Sequence, residues 1–172
     1  MRPREVSHIK FFIDWLNKKE SLDFKIDETF RNEDSPFDII IKSSKRDITL
    51  RIQNVAYRAG TFHKSGQSNI PNFKPVLVIG RAMSKEERRD SLIKCIESKS
   101  KKYPESTVKN IVLVIEVSIP SIKPEEIEEL LPKDKEFGFK GIYFVQLPVI
   151  MASADDKYGQ TGYVYPFKPC SF

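Results

Sequence analysis

Ser35–Val55 reads SPFDIIIKSSKRDITLRIQNV. Two short apolar runs flank KSSKRD, a polar stretch of the kind that turns favour. The spacing predicts a strand over Phe37–Lys42, a turn at Ser43–Arg46 and a strand over Ile48–Ala56, paired antiparallel to the first. In that second strand Leu50, Ile52 and Asn54 alternate with Arg51 and Gln53. Arg51 and Gln53 therefore share one face of the sheet.

Toward the amino terminus, Leu22, Phe24, Ile26 and Phe30 alternate with Asp23, Lys25, Asp27 and Thr29. This is the period of a strand with one buried face, and Glu28 falls on the buried side. Before it, Ile9, Phe12, Ile13 and Leu16 recur at helical spacing, which predicts an amphipathic helix over Arg4–Lys19.

Toward the carboxyl terminus, Tyr57–Lys74 is a polar loop, long for a compact domain. Pro75–Gly80 (PVLVIG) reads as a short apolar strand. Ser84 and Glu87 form a capping box that starts a helix reaching about Lys102. Ile111–Ile119 is nearly all apolar, as in a strand buried on both faces, and Glu116 interrupts it. Pro124 opens a short helix with Ile127, Leu130 and Leu131 inward, and Gly141–Leu147 is a further buried strand. The order predicts a single-domain α/β fold: an amino-terminal helix, antiparallel strands, then βαβαβ, in a mixed sheet with helices on both faces. Residues 1–148 form this domain, and the aromatic stretch 149–172 is expected to pack on it as a hairpin or flap.

The chain has 172 residues, 40% of them apolar and 31% charged. A chain of this size buries roughly 70% of its unfolded surface, so no disulfide or metal staple is required. Cys95 and Cys170 have no metal-motif spacing, and His8 and His63 lack companions for zinc. No signal-peptide pattern or membrane span is legible, and a cytoplasmic location is the expectation. VLVIGRAMS lacks the glycine spacing of a nucleotide loop, and Asp155–Asp156 reads as a solvated turn.

The charge is unevenly placed. The formal net charge is +5, from 29 Lys and Arg against 24 Asp and Glu. Ile48–Lys85 contains no acid but carries Arg51, Arg58, Lys64, Lys74, Arg81 and Lys85. The other 23 basic residues face all 24 acids, so this window carries more than the whole net charge. With His63, Tyr57, Phe62 and Phe73 nearby in sequence, it suits a phosphate backbone with unstacked bases, or it is a solvated basic loop.

The helix, the strand, the Asp38 that opens the hairpin and the alternation on the next strand together resemble the PD-(D/E)XK, or restriction-endonuclease-like, nuclease superfamily. The resemblance covers Glu5–Ala56 in motif and about Glu5–Leu147 in element order. It implies a site in which two carboxylates hold a divalent metal, normally Mg²⁺, and a lysine stabilises developing charge. Asp38 matches the hairpin aspartate. Arg51 falls where the second acid belongs and Gln53 where the lysine belongs. Glutamine can stand in for the lysine, whereas arginine offers donors only and cannot bind a metal. Glu28 is the acid that can replace the missing ligand or pair with Arg51; Glu116 is a further buried-acid candidate.

The catalytic candidates are accordingly Asp38, Gln53 and Glu28, with Asp38 and Glu28 as metal ligands if a metal binds. The nucleic-acid candidates are Arg51, Arg58, His63, Lys64 and Lys74. The expected function is a nuclease-like protein that engages nucleic acid with an altered or lost cleavage site. The alternative is a non-enzymatic interaction module, a homo-oligomer or subunit, using an exposed aromatic patch from Tyr158, Tyr163, Tyr165 and Phe167.

Overall fold

The first helix, α1 (Pro3–Glu20), places Ile9, Phe12, Ile13 and Leu16 in the core. Each such side chain contributes about 1.5–3 kcal/mol on burial. Packing therefore decides the matter for a helix that would be marginal alone. Ser21 ends it with a positive φ of 54°, the left-handed conformation common after a helix. The structure is a computed structural model describing residues 3–28, 35–57, 61–65, 77–81, 83–117, 122–148 and 162–172.

The elements that follow are β1 (Lys25–Ile26), β2 (Ile39–Ser43), β3 (Ile48–Tyr57), β4 (Thr61–Ser65), β5 (Leu77–Arg81), α2 (Lys85–Ser100), α3 (Glu105–Val108), β6 (Ile111–Val117), α4 (Pro124–Leu130), β7 (Gly141–Gln146) and β8 (Tyr163–Lys168). The main sheet has six strands in the order β1-β2-β3-β6-β7-β8. The strands β1, β2 and β3 form an antiparallel meander, β3, β6 and β7 run parallel, and β8 returns antiparallel along β7. The result is a mixed-sheet α/β domain with helices on both faces. One core cluster joins α1 to Ile39, Ile41, Leu50, Ile52, Val112 and Val114. The other joins α2 and α4 to Leu113, Ile115, Ile142 and Phe144.

The expected strand over Leu22–Phe30 contracts to two residues. Asn17 of α1 donates to the Phe24 carbonyl at 3.0 Å and accepts from its N–H at 2.6 Å, so the helix takes the backbone groups a ladder would use. Asp23 is held by the β2–β3 turn, through the Ser43 and Ser44 hydroxyls at 2.5 Å each and the Lys45 N–H at 3.1 Å. That turn is Ser44–Asp47, one residue later than expected, because Ser43 pairs with Ile48. Asp47 adopts φ +52°. Phe30 lies outside the described residues.

Two further expectations change. PVLVIG does not enter the main sheet. Its Leu77–Gly80 belongs to β5, which pairs with β4 inside the stretch read as a loop. On the side of β6 away from β7, its parallel neighbour is β3, along seven pairs from Arg51↔Ile111 to Tyr57↔Val117. The crossover unit is thus β3–α2–β6, with the β4–β5 hairpin inserted after β3. The aromatic end of the chain supplies β8, a strand of the main sheet; residues 149–161 lie outside the described part. The capping box is present: the Ser84 hydroxyl accepts from the Glu87 N–H at 3.2 Å, and the Ser84 N–H donates to Glu87 at 2.9 Å. Among the described residues, no helix is long and apolar enough to cross a membrane.

Candidate functional site

Asp38 immediately precedes β2. Its N–H donates to the Ile52 carbonyl at 2.8 Å, and its Oδ2 accepts from the Asn54 N–H at 2.7 Å. Because Ile39 pairs with Ile52, Asp38 stands level with Gln53. Leu50 and Ile52 point into the α1-side core, so the alternation sends Asp38, Arg51 and Gln53 to the α2 side. The face-sharing expected of Arg51 and Gln53 holds, and Asp38 joins them on that side.

Their side chains meet different partners. Gln53 is buried, 5% exposed, and its Oε1 has no hydrogen-bond partner among the described residues. Arg51 is exposed, and its guanidinium lies 5.8 Å from the centroid of the Phe37 ring. It makes no ion pair with Asp38 or Glu28; cation–π attraction to Phe37 takes the place of the expected pairing. Lys102, just past α2, lies 5.2 Å from the Tyr103 ring centroid. The Tyr103 hydroxyl, and more weakly the Asp38 carboxylate, raise the Lys102 ammonium above the ordinary lysine value.

Glu28 does not join this group. It is exposed in a turn after β1 and lines an open groove with Lys10, Ile13 and Asp14 of α1. The ladder continues past β1 with the Asp27 N–H donating to Ile40. This sets Glu28 level with Ile39, on the α1 face and away from Asp38. The alternation expected Glu28 on a buried strand face; the strand ends at Ile26 and Glu28 is exposed instead.

Glu116 is buried in the central strand, 4% exposed, and on the α1 face. His8 of α1, 2% exposed, places Nδ1 3.5 Å from its Oε2. A buried carboxylate needs such a partner. No local signal in the sequence links the two residues, since α1 brings His8 there by packing.

Arg58 and Lys74 lie outside the described residues, as do Tyr158, Asp155 and Asp156. His63 and Lys64 belong to β4, whose backbone pairs them with Ile79 and Val78 of β5. Lys85 is taken up by Glu129 at 2.6 Å. The aromatic residues expected to form an open patch are half-buried. Tyr163 donates to the Ile122 carbonyl, Tyr165 donates to Glu128 at 2.8 Å, and Phe167 packs edge-on to Phe144. Among the described residues the one exposed large hydrophobic is Phe172. Both cysteines are free thiols. Burial raises each above the usual thiol value, which disfavours the reactive thiolate.

Comparison with protein-family models, with curated proteins and with solved structures finds no match.

The donor set does not fit the divalent metal that the nuclease resemblance implies. One Asp38 oxygen is already held by a backbone N–H, the cation Arg51 shares its sheet face, and Glu28 lines a groove with α1 residues instead. No cluster of three His, Cys, Asp or Glu suited to a metal occurs among the described residues. A hard cation needs several oxygen ligands, and positive neighbours oppose it. What the arrangement can do is attract an anion beside aromatic rings.

Proposed function

We propose that this protein engages nucleic acid through the acid-free segment Ile48–Lys85, on a restriction-endonuclease-like framework that does not perform metal-dependent cleavage. The observation that carries the reading is the charge placement. A segment holding six basic residues and no acid spans β3 and the β4–β5 hairpin inserted after it. The framework part rests on the helix, the antiparallel meander with Asp38 at its hairpin, and the parallel strand beside β3. Departure from the nuclease pattern rests on Arg51 and Gln53 at the positions of the acid and the lysine.

Phosphate contacts release counterions, so log affinity falls linearly with log salt, by about 0.7 per contact on single strands and about 0.9 on duplex. Fluorescence anisotropy with labelled single-stranded and duplex oligonucleotides across a salt series tests this. The triple variant Arg58→Gln, Lys64→Gln, Lys74→Gln is expected to weaken binding and to flatten the slope by about two to three contacts. Absence of binding to either probe at low salt overturns the reading.

A further inference from the structure

Between β3 and α2 the chain makes a detour that the crossover to β6 does not need. The β4–β5 hairpin forms a two-stranded sheet of its own and, among the described residues, pairs with no strand of the main sheet. Its register is continuous from Thr61↔Arg81 to Ser65↔Leu77, five pairs in all. Strands of that length span about 17 Å. Two short links tie the Thr61↔Arg81 end to the body. Thr61 follows the last residue of β3 by four positions, and Arg81 precedes Ser84, the N-cap of α2, by three. Each link reaches at most about 14 Å. The hairpin is thus rooted at the carboxyl end of β3, where β3 runs parallel to β6. In open α/β sheets, ligands bind outside the carboxyl ends of such strands.

The sequence of the hairpin sets what it can attract. Its strands, TFHKS and LVIGR, contain His63, Lys64 and Arg81 and no acid. No Asp or Glu occurs anywhere from Ile48 to Lys85, so no carboxylate of the segment offsets these charges. By register Arg81 stands at the root and Lys64 three pairs further out, about 10 Å along the ribbon. Two cations so spaced on a narrow element complement a phosphate backbone. An isolated two-stranded hairpin is marginally stable in water, so a partner that seats it adds order as well as affinity.

The shape then selects the form of nucleic acid. Paired strands lie about 4.8 Å apart. The major groove of B-form DNA, about 12 Å wide, admits a two-stranded ribbon with its side chains, whereas the minor groove, about 6 Å wide, accepts one only after deformation. A-form RNA has a deep, narrow major groove closed to side chains, and a single strand has no groove.

We propose that the β4–β5 hairpin is a ribbon that seats in the major groove of B-form duplex DNA, with Lys64 and Arg81 as its phosphate contacts. The proposal rests on the nucleic-acid reading above and narrows it to one element and one form of nucleic acid, adding Arg81 as a binding residue.

The test is anisotropy of the full chain across a salt series with labelled duplex DNA, duplex RNA and single-stranded DNA, each of about 15 units. Wild type is expected to bind the DNA duplex about tenfold more tightly than either other probe. Lys64→Gln and Arg81→Gln are each expected to reduce the salt slope on duplex DNA by about 0.9, and Lys45→Gln in the β2–β3 turn is expected to leave it unchanged. Dimethyl sulfate then reads the groove, because guanine N7 lies in the major groove and adenine N3 in the minor. Saturating protein is expected to protect N7 and leave N3 reactive. Thermal melts check that the variants fold; should one fail to fold, groove probing of the wild type decides. Binding of duplex RNA or single strand as tight as that of duplex DNA refutes the ribbon while nucleic-acid engagement stands. The same holds if N7 stays fully reactive, or if both folded variants keep the wild-type slope. If wild type binds none of the three probes at low salt, the functional reading fails and the ribbon fails with it.

Discussion

His8 and Glu116 form a buried pair, with Nδ1 3.5 Å from Oε2. Removing one member of a buried pair leaves an uncompensated polar group, which typically costs about 3–5 kcal/mol, whereas replacing both by apolar groups is often near neutral. His8→Leu is therefore expected to destabilise the protein by about that amount in urea unfolding. The His8→Leu, Glu116→Leu double variant is expected to lose less than the two single variants summed. Additivity would show that the pair is uncoupled. Asp23 makes a prediction in pH. The hydroxyls of Ser43 and Ser44, then the Lys45 N–H, hold its carboxyl far below the usual carboxylate range. A depressed carboxyl stabilises the fold above its unfolded value, about 3.9, and that contribution is lost as pH falls from there toward the folded value. The stability gap between wild type and Asp23→Asn is thus expected to be full at neutral pH and to shrink in acid. Urea midpoints at both pH values check it, and a gap that does not change with pH contradicts it. That Arg51 and Gln53 share a face was legible in the sequence because the strand period is two; the level position of Asp38 and Gln53 was not, since the turn begins one residue later than expected. Nor was the influence of Asp38 on Lys102, which depends on how α2 packs on the sheet. The basic run at Lys99–Lys102 read simply as the end of a helix.

Among the elements, β8 rests on a tight start. A Cβ built at Gly162 would lie 2.5 Å from the Pro148 ring and 2.7 Å from the Gln146 carbonyl, closer than packed atoms allow. Gly162→Ala is expected to cost about 1–3 kcal/mol, the usual range for overpacking, and to loosen β8 before the rest of the sheet. Hydrogen exchange of the Tyr163–Lys168 amides measures this, and wild-type protection there would refute it. The elements show where local pattern suffices. Strands β2 and β3, helix α2 with its capping box, and the wholly buried β6 follow from alternation, caps and apolar runs. Sheet neighbours do not. PVLVIG is as apolar as a central strand, yet β3 offers β6 seven consecutive pairs and takes the position beside it. The shortening of β1 is equally non-local, since the competing hydrogen bonds come from Asn17 in the preceding helix. In β8, aromatic residues separated by Pro166 suggested a flap, and only the half-buried rings of Tyr163, Tyr165 and Phe167 against α4 and β7 make it a strand.

At the scale of the molecule, the meander and the parallel strands meet at β3, and that junction sets Asp38 on the same sheet face as Arg51. Plasmid DNA incubated with the full chain and Mg²⁺ or Mn²⁺ is expected to remain intact, because Arg51 on the same sheet face opposes a cation and no cluster of acids suited to a metal occurs among the described residues. Cleavage abolished by Asp38→Ala would overturn this. The sheet also has a consequence at its far rim. All six residues of β7 are buried, and among the described residues its outer backbone edge is covered by β8, far along the sequence. During synthesis a nascent chain therefore presents a greasy, hydrogen-bond-hungry strand until Tyr163–Lys168 folds back onto it. Once in place, β8 carries Pro166, which has no N–H to offer a neighbour. Outermost among the described strands of the main sheet, β8 thus works as a terminator. It ends the sheet with a rim that resists templated polymerisation and makes those six residues the guard against aggregation.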